Sequence, residues 1–157
     1  MYSIRVDAES NQLLVALSGR VTTAEALRAV SQAFTLAEAG HILAIRCDTT
    51  GLQRGPGGTV LVAAAIAARY RDGMRLAFAG EGVRRRLAER IARFSRIPSE
   101  GIIAVDTVAE AQAWLQPVLR RAPRLSGTEL RHVDVLTHPA SRPAERPAAA
   151  GRTEGAA

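Results

Sequence analysis

Lysine is absent from this chain of 157 residues: all 21 of its basic residues are arginine. A nucleotide-binding P-loop needs a lysine and then a hydroxyl residue after its last glycine, one to meet the phosphates and one the magnesium, so that site is excluded. Cysteine is nearly absent too. The single Cys47 permits no internal disulfide, and His41, His132 and His138 make no metal-ligand spacing, so neither a disulfide scaffold nor a structural zinc is expected. Aromatic residues make up 4% of the chain, which leaves few platforms for stacking bases. The longest apolar run, residues 60–68, is too short to span a bilayer. Met1-Tyr2-Ser3-Ile4-Arg5 lacks the pattern of a secretory signal, so a cytoplasmic location without a membrane span is expected.

What is present suits one packed domain, with 47% apolar residues. The net charge of +6 is spread along the chain, 14 Arg against 11 acids up to Pro117 and 7 against 4 beyond it. An arginine-only bias is also what a GC-rich coding sequence yields without selection for phosphate binding. Nucleic-acid binding is therefore the last-ranked reading.

Period-two patterning marks strands at residues 2–6 and 13–17, joined as a hairpin by Glu9-Ser10-Asn11. Thr22-Thr23-Ala24-Glu25 offers a capping box for a first helix, in which Leu27, Val30, Phe34 and Ala37 share a face and Gly40 is the expected left-handed end. Residues 42–45 read as a buried central strand, 48–58 as a loop, and a second helix is expected from Thr59 as its N-cap. A strand at 74–79, a helix through Val83, Leu87, Ile91 and Phe94, a strand at 102–105 and a last helix capped by Thr107 and Glu110 and stopped at Pro117 complete the series. The expectation is an α/β fold in the order β-β-α-β-α-β-α-β-α, with a mixed sheet of about five strands and helices mainly on one face. The domain covers 1–119. Residues 120–157, rich in Pro, Arg and Ala, are expected to be a disordered tail, with 129–136 the one place for a short strand or partner motif.

Residues 47–70 pose the functional question, because an aspartate and a glycine-rich turn lead into a long apolar run. The amides after Gly57-Gly58 lie at a helix start and suit an anion, although a plain turn needs no more than these residues. Residues 60–68 are apolar all round, which a one-sided surface helix should not be, so either the rest of the chain or a partner covers the second face. Gly57, Gly58, Thr59, Val60, Val62 and Ala63 are the candidate partner-binding residues. Arg84, Arg85 and Arg86 begin an arginine-rich helix face that is either solvated or a weak candidate patch for an anionic partner, with Glu89 at pairing distance from Arg85 and Arg93. Cys47 and Asp48 end the central strand, a usual place for chemistry. A nucleophilic cysteine needs a base, and His41 lies about 20 Å away along the strand. No catalytic residue, metal or cofactor is assigned.

The strings "LLVALSGRVTTAEA", "ILAIRCDTTGL", "GMRLAFAGEGVRRRL" and "VDTVAEAQAWL", in this order and spacing, resemble the STAS family, the sulfate-transporter and anti-sigma-factor-antagonist domain, including its sporulation-antagonist-like branch. The resemblance covers roughly residues 2–115. It implies an interaction module whose loop after the central strand carries an Asp-Ser-Ser-Gly-like motif, with a serine phosphorylated by a partner kinase. Aligning Asp48 and Gly51 puts Gly57 at the acceptor position, and glycine has no hydroxyl. The serine phospho-switch is therefore not carried over, and Thr59 is a weak candidate acceptor only if the loop shifts by two residues.

The leading expectation is a non-enzymatic STAS-like module of a bacterial regulatory system that binds a protein partner, such as an anti-sigma factor or kinase-like protein, or a second copy of itself as a homodimer. The alternative is a small-ligand or lipid-binding STAS-like protein or a transport-complex subunit.

Overall fold

The computed structural model describes residues 1–7 and 9–120, together with the backbone of Leu136–Thr137. Threonine and glutamate three residues apart start two of its helices. In α1 (Thr23–Ala39) the Thr22 hydroxyl accepts from the Glu25 amide at 3.2 Å while the Glu25 carboxylate accepts from the Thr22 amide at 2.8 Å. Thr107 and Glu110 repeat this reciprocal pairing at the start of α4 (Val108–Leu119). Replacing Thr22 by alanine is expected to cost about 1 kcal/mol, read as a lower urea midpoint. The hydrogen bonds from Thr22 hold the Glu25 carboxyl below its ordinary 4.5. A carboxyl depressed on folding contributes stability above its unfolded value and loses it as pH falls through the folded one. Unfolding curves of the parent and Glu25→Gln should therefore separate above pH 4.5 and converge on acidification.

Strands β1 (Tyr2–Asp7) and β2 (Gln12–Leu17) form an antiparallel hairpin. Onto β2 the chain adds β4 (Ala44–Asp48), β6 (Arg75–Ala79) and β7 (Ile102–Val105), all parallel, and the two-residue β8 (Leu136–Thr137) pairs antiparallel with the outer edge of β1. The order is β7-β6-β4-β2-β1-β8, a mixed sheet. Three helices, α1, α2 (Thr59–Ala67) and α3 (Val83–Ser95), cover one face and α4 the other.

Alternation along the strands explains that division. Ile45, Cys47, Leu76, Phe78 and Ile102 point towards the three helices, while Ala44, Ala77 and Ala79 point the other way, against Ala111 and Leu115 of α4. Alanines on that side let a single helix lie close to the sheet.

The α/β class, the mixed sheet and the preference for one face agree with the sequence expectation. Four local expectations change. Gly40 has φ −93°, and the left-handed residue is His41 at φ 49°. An added Cβ at 40 would lie 3.2 Å from the Ile42 side chain and 3.4 Å from the Leu36 carbonyl, so any other residue there would have to displace Ile42 by a few tenths of an ångström. Pro117 does not stop α4, which continues to Leu119. The missing N–H falls in the last turn, opposite the exposed Ala113, whose carbonyl can turn to water. The central strand is Ala44–Asp48, displaced towards the loop because Ile42 is taken up by the chain reversal after α1, its amide bonded to the Ala37 carbonyl. Gly58, not Thr59, is the N-cap of α2. Beyond Arg120, the expected tail lies outside the described residues apart from β8, whose Leu136 falls in the 129–136 segment.

Candidate partner-binding surface

Parallel strands bring their C-terminal ends to one edge, where Asp48 sits beside Ala79 and Ala79 beside Val105. The loop after β4 leaves the sheet here, and it is built rather than slack. Thr49 is buried, and its hydroxyl donates to the Ala79 carbonyl at 2.7 Å. Asp48 accepts from the amide and hydroxyl of Thr50 at 2.9 and 2.7 Å, a local turn that accounts for the aspartate without chemistry. Residues Leu52–Arg54 then form β5, parallel to β3 (Gly19–Arg20), and the Val21 amide donates to the Arg54 carbonyl.

Two further contacts hold the loop, and neither was visible in sequence. Arg84 donates through Nε to the Leu52 carbonyl at 2.8 Å. Thr23, the first residue of α1, accepts from the Gly58 amide at 3.0 Å, so a hydroxyl from one helix caps the next. An added Cβ at Gly58 would lie 2.7 Å from the Thr23 methyl, which accounts for glycine there. At Gly57, by contrast, an added Cβ would meet nothing within 4 Å.

Helix α2 buries Thr59, Val62, Ala63 and Ile66, a one-face stripe at i, i+3, i+4 and i+7, between α1 and α3. The opposite face is just as apolar and lies in solvent: Val60 is 57% and Leu61 59% exposed, with Ala64 and Ala67 beside them. Of the six candidate residues, Gly57 and Val60 are exposed and Gly58 half-buried, whereas Thr59, Val62 and Ala63 face the core. Leu61 belongs to the exposed face and was missed, because a helix apolar all round shows no phase from which its inner side can be read. Thr59 is 5% exposed, which leaves little of the side chain open to a kinase.

The three arginines separate. Arg84 is committed to the loop; Arg85 pairs with Glu89 at 3.0 Å and with Asp106, and these two acids raise its pKa; of the three only Arg86 is exposed, the others being half-buried. The equal charge of these side chains in sequence conceals different partners. Cys47 is buried, and burial, with a smaller effect of Asp48, pushes its thiol up to about 12, so no thiolate forms near neutrality. Among the described residues no three His, Cys, Asp or Glu side chains lie together as a metal site, and no helix is long and apolar enough to cross a membrane.

No protein-family model matches the chain, and no curated protein matches its sequence.

Proposed function

We propose that this chain is a non-enzymatic STAS-like interaction module of a bacterial regulatory system, which binds a protein partner through the glycine-rich loop and the outer face of α2. The observation that carries the reading is the pair Val60 and Leu61, both more than half exposed at the start of a helix that has no charged residue. Adjacent large aliphatic side chains in water on a rigid, doubly anchored loop and helix form a small apolar platform of the kind interfaces bury. The resemblance in strings and element order supports assigning the platform to a regulatory partner, an anti-sigma factor or kinase-like protein, and it works without a serine switch because the acceptor position is Gly57. Leu61→Glu should leave the circular dichroism spectrum unchanged and weaken a reconstituted complex at least tenfold in calorimetry. A partner that binds parent and variant equally would remove this surface from consideration.

Homodimerisation through the same face is the second form of this reading. Sedimentation velocity of the free chain separates the two: a concentration-dependent dimer abolished by Leu61→Glu favours self-association.

A further inference from the structure

Between the sheet and its three-helix layer lies a cavity of about 70 Å³. Val15, Ile45 and Phe78 line it from the sheet, Ala29 and Ala33 from α1, and Ala88 from α3. Alanine at these helix positions is what leaves the space, since a leucine at any of them would fill it. Almost no polar atom faces the interior, so water entering it would find too few partners. A hydrocarbon group is the occupant this lining suits.

The cavity reaches the loop edge of the sheet, where Thr49, Pro56, Arg84 and Leu87 belong to its wall. Arg84 and Leu87 also line an outer groove beside residues 52–55, of about 420 Å³. These two side chains are thus shared between an apolar interior and a polar surface. Arg84 uses Nε on the Leu52 carbonyl, and its guanidinium has no carboxylate partner among the described residues. Glu81 stands on the groove with Arg54 and Arg84, leaving the cations in excess. A planar guanidinium matches a carboxylate bidentately, and it keeps its charge at any working pH.

We propose that this cavity is a binding site for a short-chain aliphatic carboxylate, with the tail between the sheet and α1 and α3 and the carboxylate on Arg84. Tail length follows from volume. An apolar cavity of about 150 Å³ admits the six carbons of benzene, so the space here takes about three carbons before the carboxylate. Butyrate has that length. The site is distinct from the outer face of α2, and it does not depend on the partner-binding reading.

The test is a nuclear magnetic resonance titration of the full chain with acetate, propionate, butyrate and hexanoate, and with 1-butanol as the neutral counterpart. Each buried methylene should tighten binding about fourfold up to butyrate, after which the gain stops. Shifts should centre on Ile45, Cys47 and Ala88. Ala33→Leu fills the space and should abolish the shifts; if it does not fold, Ala88→Val, which narrows the cavity from α3, should weaken butyrate at least fivefold. Arg84→Gln should weaken butyrate at least tenfold more than it weakens 1-butanol, the neutral ligand reporting whatever the lost Arg84–Leu52 bond does to the wall itself. Absence of shifts at 50 mM butyrate (roughly the weak limit expected of so small a ligand) would overturn the proposal. So would binding indifferent to both cavity variants, or 1-butanol binding the parent as tightly as butyrate.

Discussion

Glutamate in place of Val62 should unfold the domain, while the same substitution one residue earlier, at Leu61, leaves it folded. Val62 is 4% exposed and packs in the core shared by the sheet and the three-helix layer, whereas Leu61 is 59% exposed. The change removes a buried aliphatic side chain, which costs about 2 kcal/mol in lost burial. It also places a carboxyl on a short side chain fixed among hydrocarbon, where the lining is almost wholly apolar, which adds several kcal/mol whether the group ionises or stays neutral. A total of about 5 kcal/mol matches the whole stability of many domains of this size. Thermal unfolding by circular dichroism should show no cooperative transition for Val62→Glu near pH 7, or a Tm lower by about 15 °C or more. The defect should ease as pH falls, since a carboxyl forced into this core has a raised pKa and its neutral form is the less costly. A Val62→Glu protein that melts within a few degrees of the parent would mean that α2 presents a different face to the core.

Gly80→Ala is the second substitution with a large expected effect. Gly80 is buried at the end of β6, and its amide donates to the Val105 carbonyl at 3.0 Å, so the backbone cannot draw back. A Cβ there would collide with the Thr49 hydroxyl and lie 2.9 Å from the Arg84 Cβ. Neither neighbour is free to yield, because Thr49 is bonded to the Ala79 carbonyl and Arg84 to that of Leu52. Overpacking against fixed groups costs about 1–3 kcal/mol, and the upper end applies here. Urea unfolding should place the midpoint of Gly80→Ala well below the parent, whereas Gly57→Ala, with nothing near its added methyl, should match the parent. Equal midpoints for Gly80→Ala and the parent would refute the close packing of β6, α3 and the loop.

Because Arg84 and Thr49 are the groups displaced, the first elements to loosen should be β5 and the turn into α2. The candidate surface therefore depends on a glycine far from it in sequence. Nothing in the string "AFAGEG" distinguishes Gly80, which needs its missing side chain for space, from Gly82, which takes φ 58° in an open position.

Legibility followed the range of the interactions. Capping boxes join residues three apart, so both were readable, as were the alternating strands and the turn residues between them. The amphipathic helix α1 showed its inner face through the contrast between apolar and polar positions, whereas α3 did so only at Leu87 and Ile91, since Val83 and Phe94 of the same expected stripe are 73% and 46% exposed at the two ends of the helix. Helix α2 had no such contrast, so Val62 and Ala63 were grouped with Val60 although they point in opposite directions. The loop read as irregular because its supports, Thr23, Arg84 and the pairing of Gly19–Arg20 with Leu52–Arg54, are contributed by segments roughly thirty residues away.

Sequence alone determined the class of fold, the order of its main strands and helices without the short β3 and β5, the absence of a lysine-dependent phosphate site and the position of the loop that raised the functional question. These depend on composition, periodicity and contacts within a turn or two. Tertiary structure decided which side of α2 meets water, that Arg84 serves the loop while Arg85 is neutralised by two acids, and that alanines on two helices leave a cavity beneath them. Each of these depends on what distant segments place against a residue, and an apolar residue bears no mark of whether its neighbour will be protein, solvent or empty space.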